Sequence, residues 1–163
     1  MNRLHFPRIA ARLAAATIFA LGTTAGAQSS LDGPGVSQAL AAARRASISG
    51  VAYDLSLSLS SADSAVGQVT VSFLRRGTGD ALLDFRGRRV TAIRVNDRDV
   101  PLSAANGHHI RLPAAALRAG VNRVSVGFVA EVAPSGASII RSRDASDGAD
   151  YLYTLLVPAD ANQ

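Results

Sequence analysis

From Ser49 onward the chain takes on a two-residue rhythm. Val51, Tyr53, Leu55, Leu57 and Leu59 alternate with Ala52, Asp54, Ser56, Ser58 and Ser60. On an extended strand the first set lies on one side and the second on the other; on a helix both would scatter around the axis. The rhythm returns in Val69, Val71 and Phe73 against Thr70 and Ser72, and again in Val124, Val126 and Phe128. Between and after these lie shorter runs with the same chemistry: Ala81 to Phe85, Val90 to Val95, His109 to Leu112, a weaker Ser138 to Arg141, and Tyr151 to Val157, which Pro158 closes. Turn formers separate them, among them Asn96-Asp97 and Asn106-Gly107, while Ser60 to Gly67 reads as a loop. About eight short strands at hairpin spacing predict an all-β domain over 49–163, an antiparallel β-sandwich or a saddle-shaped sheet.

Upstream the pattern differs. Arg3, Arg8 and Arg12 precede a short apolar run, Leu13 to Leu21, and then the small-residue sequence Ala25-Gly26-Ala27. That is the layout of a secretory signal peptide over 1–27, cleaved before Gln28. A membrane-spanning helix needs about 20 apolar residues, and this run is shorter, so we expect export to a periplasm or the exterior and no stable membrane anchor. Residues 28–48 read as a turn-rich linker and one short helix from Ser37 to Ala46. Ser37 caps it, alanine fills it, and Arg44 and Arg45 sit at the negative end of its dipole.

The charge argues against a nucleic-acid partner. The chain has 17 basic residues, all arginine, and 12 acidic ones, for a net charge of +5. Three of those arginines fall in the leader and no acid does, so the exported part carries 14 against 12. A surface that tracks phosphates needs a larger basic excess, and aromatics to stack bases; tryptophan is absent. With no cysteine there are no disulfides, thiolate metal sites or cysteine nucleophiles. Taking the 27 leader residues from 163 leaves enough chain for one packed domain.

The order of the motifs resembles the N-terminal domain of the aminopeptidase N family of zinc metallopeptidases. The resemblance runs through the helix at Ala41 to Ser47 and Y-D-L-S-L-S-L (Tyr53 to Leu59). G-x-V-x-V-x-F follows at Gly67 to Phe73, then L-D-F-x-G at Leu83 to Gly87 and the Ile93, Val95, Asn96 hairpin. I-x-L-P (Ile110 to Pro113), L-x-x-G-x-N-x-V-x-V (Leu117 to Val126) and D-x-x-D-G-x-x-Y-x-Y-T (Asp144 to Thr154) complete it. It implies a β-sandwich that packs on a catalytic domain and helps form the pocket for a peptide's amino terminus. In the family the last strand leads into an FPCFD-P-type turn and that domain. Here the sequence reaches Gln163 first, so we expect a domain truncated before its catalytic partner.

The family's chemistry lies in H-E-x-x-H, a later glutamate and G-x-M-E-N, which hold zinc, activate its water and bind the free amine. None of these is present. His108 and His109 are adjacent, so a strand would point them to opposite faces, and no acidic residue lies between Asp99 and Glu131. They read as a loop or edge pair, with no catalytic residue, no metal ligand and no cofactor in this chain. Two substrate-binding positions follow from the resemblance alone. Where the family's last strand has Y-T-Q-F-E-P, this one has Y-T-L-L-V-P, putting Leu155 and Val157 in place of a pocket-lining Gln and Glu. They line the pocket as an apolar wall, or pack as sheet core. Asp144, Asp147 and Asp150 lack the spacing of a calcium loop and read as a turn. The other reading of the whole chain is a free-standing exported β-sandwich that binds protein or glycan.

Overall fold

The computed structural model describes residues 31–59 and 61–154. Helix α1, Gln38–Ser47, begins where the Ser37 hydroxyl accepts the Leu40 N–H at 3.1 Å, and it carries Arg44 and Arg45 in its last turn. The chain then runs directly into β1, Ile48–Ser58, followed by β2, Ser64–Arg75, β3, Ala81–Asp84, and β4, Arg89–Val95. A tight turn gives β5, Arg98–Asp99, and beyond it lie β6, His109–Leu112, β7, Gly120–Ala133, β8, Ile139–Arg143, and β9, Asp150–Thr154. After Pro113 comes a single 3-10 turn, Ala114–Ala116. Gly120 opens β7 with a left-handed φ of 85°.

Seven strands form one sheet in the order β1-β2-β7-β4-β5, with β8 beside the far end of β7 and β9 beside β8. Its pairs are antiparallel except β7 with β8, which run parallel over Val132–Ile139 and Ala133–Ile140. β3 and β6 make a separate two-stranded ribbon. The protein is therefore all-β, with a curled, mostly antiparallel sheet, as its alternation predicts. The expected loop from Ser60 to Gly67 is too long. β2 already begins at Ser64, because β7 extends far enough for Ser64 to pair with Glu131 and Gly67 with Phe128.

The core follows from the register. Val71 and Phe73 of β2, Val124 and Val126 of β7, and Ile93 and Val95 of β4 share one face and are buried under Ile110 and Leu112 of the ribbon. Each such side chain is worth roughly 1.5–3 kcal/mol of burial. Gly67 continues this face because nothing larger fits. A Cβ there would stand 2.3 Å from the Phe128 ring, whose edge-to-face partner is Phe85 at 5.9 Å. Asn96 and Asp97 both have positive φ, 48° and 68°, and form the two-residue loop joining β4 to β5 with the hand that suits twisted strands.

Coverage is incomplete. The ribbon lies over β2, β7 and β4 but leaves β1 bare. Val51, Tyr53, Leu55 and Leu57 line up on one side of β1, and all stay exposed. A second, smaller cluster, Ala65, Val132 and Ile139, packs where β8 joins β7. Among the described residues no helix is long and apolar enough to cross a membrane.

Candidate functional site

Two features on the ribbon side of the sheet combine polar chemistry with space. The first is a cluster built across the β3–β6 pair. Asp84 and His109 are directly opposed partners in that pair, and Asp84 Oδ1 lies 2.7 Å from His109 Nδ1. Arg44, from the last turn of α1, donates to Asp84 Oδ2 at 2.7 Å and to Oδ1 at 2.5 Å, and also to the Leu82 carbonyl at 3.0 Å. On the far side of the imidazole, Nε2 is 2.8 Å from the Gly33 carbonyl. Asn106 Oδ1 accepts the backbone N–H groups of His108 and His109 at 2.9 and 2.7 Å and so fixes the turn that presents the ring.

The hydrogen-bond inventory decides what this cluster does. A carboxylate gripped at both oxygens by a guanidinium accepts, and a backbone carbonyl only accepts. The imidazole thus meets an acceptor at each nitrogen. With 1% of its surface exposed and both ring nitrogens engaged, His109 presents no free nitrogen to a substrate, although an Asp–His pair is two thirds of a hydrolase triad. The cluster is a clasp. It ties α1 and the segment around Gly33 to the ribbon, together with Asn106 Nδ2, which donates to the Asp32 carbonyl at 2.8 Å. Arg111 adds an ion pair to Asp32.

This corrects the expectation for the two histidines. They do face opposite ways, but only His108 is exposed; His109 is wholly buried. The carboxylate absent from the neighbouring sequence arrives from 25 positions upstream, across the ribbon. Only the pairing of β3 with β6, which sets Asp84 opposite His109, brings the two together.

The second feature is a cleft of about 490 Å³ between the ribbon and the bare end of the large sheet. Val51 and Tyr53 of β1, Phe73 of β2 and Leu83 of β3 give it apolar walls, and Arg44, Arg45 and Arg86 line it with positive charge. Asp84 is its one acidic lining residue, and Arg44 already holds both of its oxygens. The volume is that of a small-molecule or side-chain pocket.

Leu155 and Val157 lie outside the described residues, as does the stretch 1–27 read as a leader. Immediately before them, Tyr151, Leu152 and Tyr153 of β9 are exposed. The loop from Asp144 to Asp150 is a turn in which Asp144 and Asp147 bond within the loop, while Asp150, the first residue of β9, pairs with Arg141. Asp144 accepts from the Ser146 hydroxyl and from Ser146 N–H, each at 2.7 Å, Asp147 accepts from Ala149 N–H at 2.8 Å, and the Tyr151 hydroxyl donates to Asp147 at 2.8 Å. These bonds hold both carboxyls below the ordinary range. Among the described residues no three His, Asp, Glu or Cys side chains gather as a metal site.

No protein-family model matches this chain, and no curated protein matches it either.

Proposed function

We propose that this chain is the non-catalytic β-domain of an exported, aminopeptidase N-like zinc metallopeptidase, a domain that packs on the zinc-bearing catalytic domain and helps shape the pocket for a peptide's amino terminus. The supporting observation is how the motif residues fall on the sheet. Y-D-L-S-L-S lies in β1, G-x-V-x-V-x-F in β2, L-D in β3, I-x-L in β6, N-x-V-x-V in β7 and Y-x-Y-T in β9. The polar members of the series are structural nodes: Asp84 anchors the clasp, and Asn122 is fully buried with four hydrogen bonds. Tyr151, Leu152 and Tyr153, exposed just before Leu155 and Val157, supply apolar surface of the kind a docking partner covers. In this reading zinc and peptide substrate belong to the catalytic domain, and this chain contributes shape alone.

The test is the reading frame beyond the Gln163 codon. An F-P-C-F-D-P turn, G-x-M-E-N and H-E-x-x-H, in frame or after a frameshift, are expected there. A stop codon followed by an unrelated gene overturns the reading. A second reading, a free-standing exported module that binds protein or glycan, is favoured by one observation, the open cleft beside β1.

A further inference from the structure

The phase of the β1–β2 ladder determines what the outer edge of β1 offers. Arg76 N–H donates to the Ser47 carbonyl at 2.9 Å. In an antiparallel pair, hydrogen-bonded positions alternate, so those of β2 facing β1 continue through Leu74, Ser72, Thr70, Gln68 and Val66. Their partners past the bulge at Gly50–Val51 are Ala52, Asp54, Ser56 and Ser58. The N–H and C=O groups of Tyr53, Leu55 and Leu57 therefore point away from β2, and no described strand pairs with them. The same three residues carry the bare apolar stripe, with Tyr53 67% and Leu55 55% exposed. Edge strands are usually short, or blunted by lysine, proline or an inward-facing charge. β1 is 11 residues long, and its apolar side has none of these.

The cleft adjoins this edge. Val51 and Tyr53 of β1 line it together with Leu83 of the ribbon, so a strand laid against β1 would bring alternate side chains to this apolar space. Arg45, exposed in the last turn of α1, stands at the end of the cleft where β1 begins, and the one acidic lining residue is already engaged by Arg44. We propose that β1 is a strand-addition site for an extended peptide of another protein, one with alternating apolar residues and a carboxylate at the end that meets Arg45. Main-chain hydrogen bonds to Tyr53, Leu55 and Leu57 would supply affinity and the cleft would select side chains, the division of labour general to recognition by β-augmentation. At about 3.3 Å per residue, a peptide of roughly seven residues spans the edge. The proposal stands independently of the metallopeptidase reading.

The experiment is a fluorescence-anisotropy titration of the full exported chain with a labelled peptide that alternates valine and threonine and ends in two glutamates. A second peptide is N-methylated at the positions whose amides would face β1, and a third ends in two lysines. Leu55→Lys and Arg45→Glu are the protein variants; both side chains are exposed, and circular dichroism checks that each variant keeps its strands. Saturable binding is expected, weakened about tenfold or more by N-methylation and weakened by either protein variant and by the lysine end. Equal affinity for the methylated peptide, or no saturable binding of the parent peptide at about 1 mM, overturns the proposal.

Discussion

Replacing Asn122 by alanine probes the tightest polar joint in the sheet. Its side chain is fully buried at the start of β7 and uses its whole bonding capacity. Oδ1 accepts from Asn96 Nδ2 at 2.8 Å and from Arg118 N–H at 2.9 Å, while Nδ2 donates to the carbonyls of Arg118 at 2.8 Å and Gly120 at 3.0 Å. Asn122 thus clamps the turn before β7 and links it to the turn after β4. Four hydrogen bonds at about 1 kcal/mol each set a ceiling near 4 kcal/mol. Arg118 and Gly120 are exposed residues, so water can reach their freed backbone groups, which lowers the expected loss to about 2–3 kcal/mol. With a urea m-value of roughly 2 kcal/mol/M for a domain of this size, the unfolding midpoint should fall by about 1–1.5 M while m stays constant. Equilibrium urea denaturation followed by circular dichroism measures this. A midpoint shift below about 0.3 M would refute the reasoning, because it would mean that the clamp is replaced by solvent at no cost.

Two further perturbations test the ribbon side. Asp84→Asn removes the charge that Arg44 and His109 share. With Arg44 about a quarter exposed and His109 buried, it should cost about 2–3 kcal/mol and speed amide exchange in residues 31–36; unchanged exchange there would contradict the clasp. Acid should weaken the protein through Asp80, whose carboxyl is held below its ordinary range first by the Ala114 N–H and then by Arg111. A depressed pKa stabilises the fold above the unfolded value, about 4, and that contribution is lost as pH falls through the lower folded value. Asp80 is 39% exposed, so the effect is small, and Asp80→Ala should flatten the stability profile below about pH 4; an unchanged acid slope counts against it.

Much of the fold was legible because strand periodicity and turn chemistry are local. Ser37 capping α1, the Val69-Val71-Phe73 face of β2 and the hairpin at Asn96-Asp97 all follow from neighbours in sequence. Burial is not local. The alternation in β1 is as clean as that in β2, yet β2 is covered and β1 is bare, because the β3–β6 ribbon reaches across only part of the sheet. The parallel pairing of β8 with β7 carries no sequence signal either, since a strand's residues do not state which neighbour it joins. The Asp84–His109 contact depended on the register of two strands far apart in the chain. The cleft, likewise, appears only once the ribbon has been laid across the sheet, leaving a gap beside β1 and α1.

In the proposed role this domain contributes shape and docking surface and leaves hydrolysis to the catalytic domain. The direct measurement is metal analysis of the purified chain together with turnover of aminoacyl-anilide substrates, with and without added zinc. No stoichiometric zinc and no hydrolysis are expected. Zinc bound one-to-one with turnover that a chelator abolishes would contradict this role.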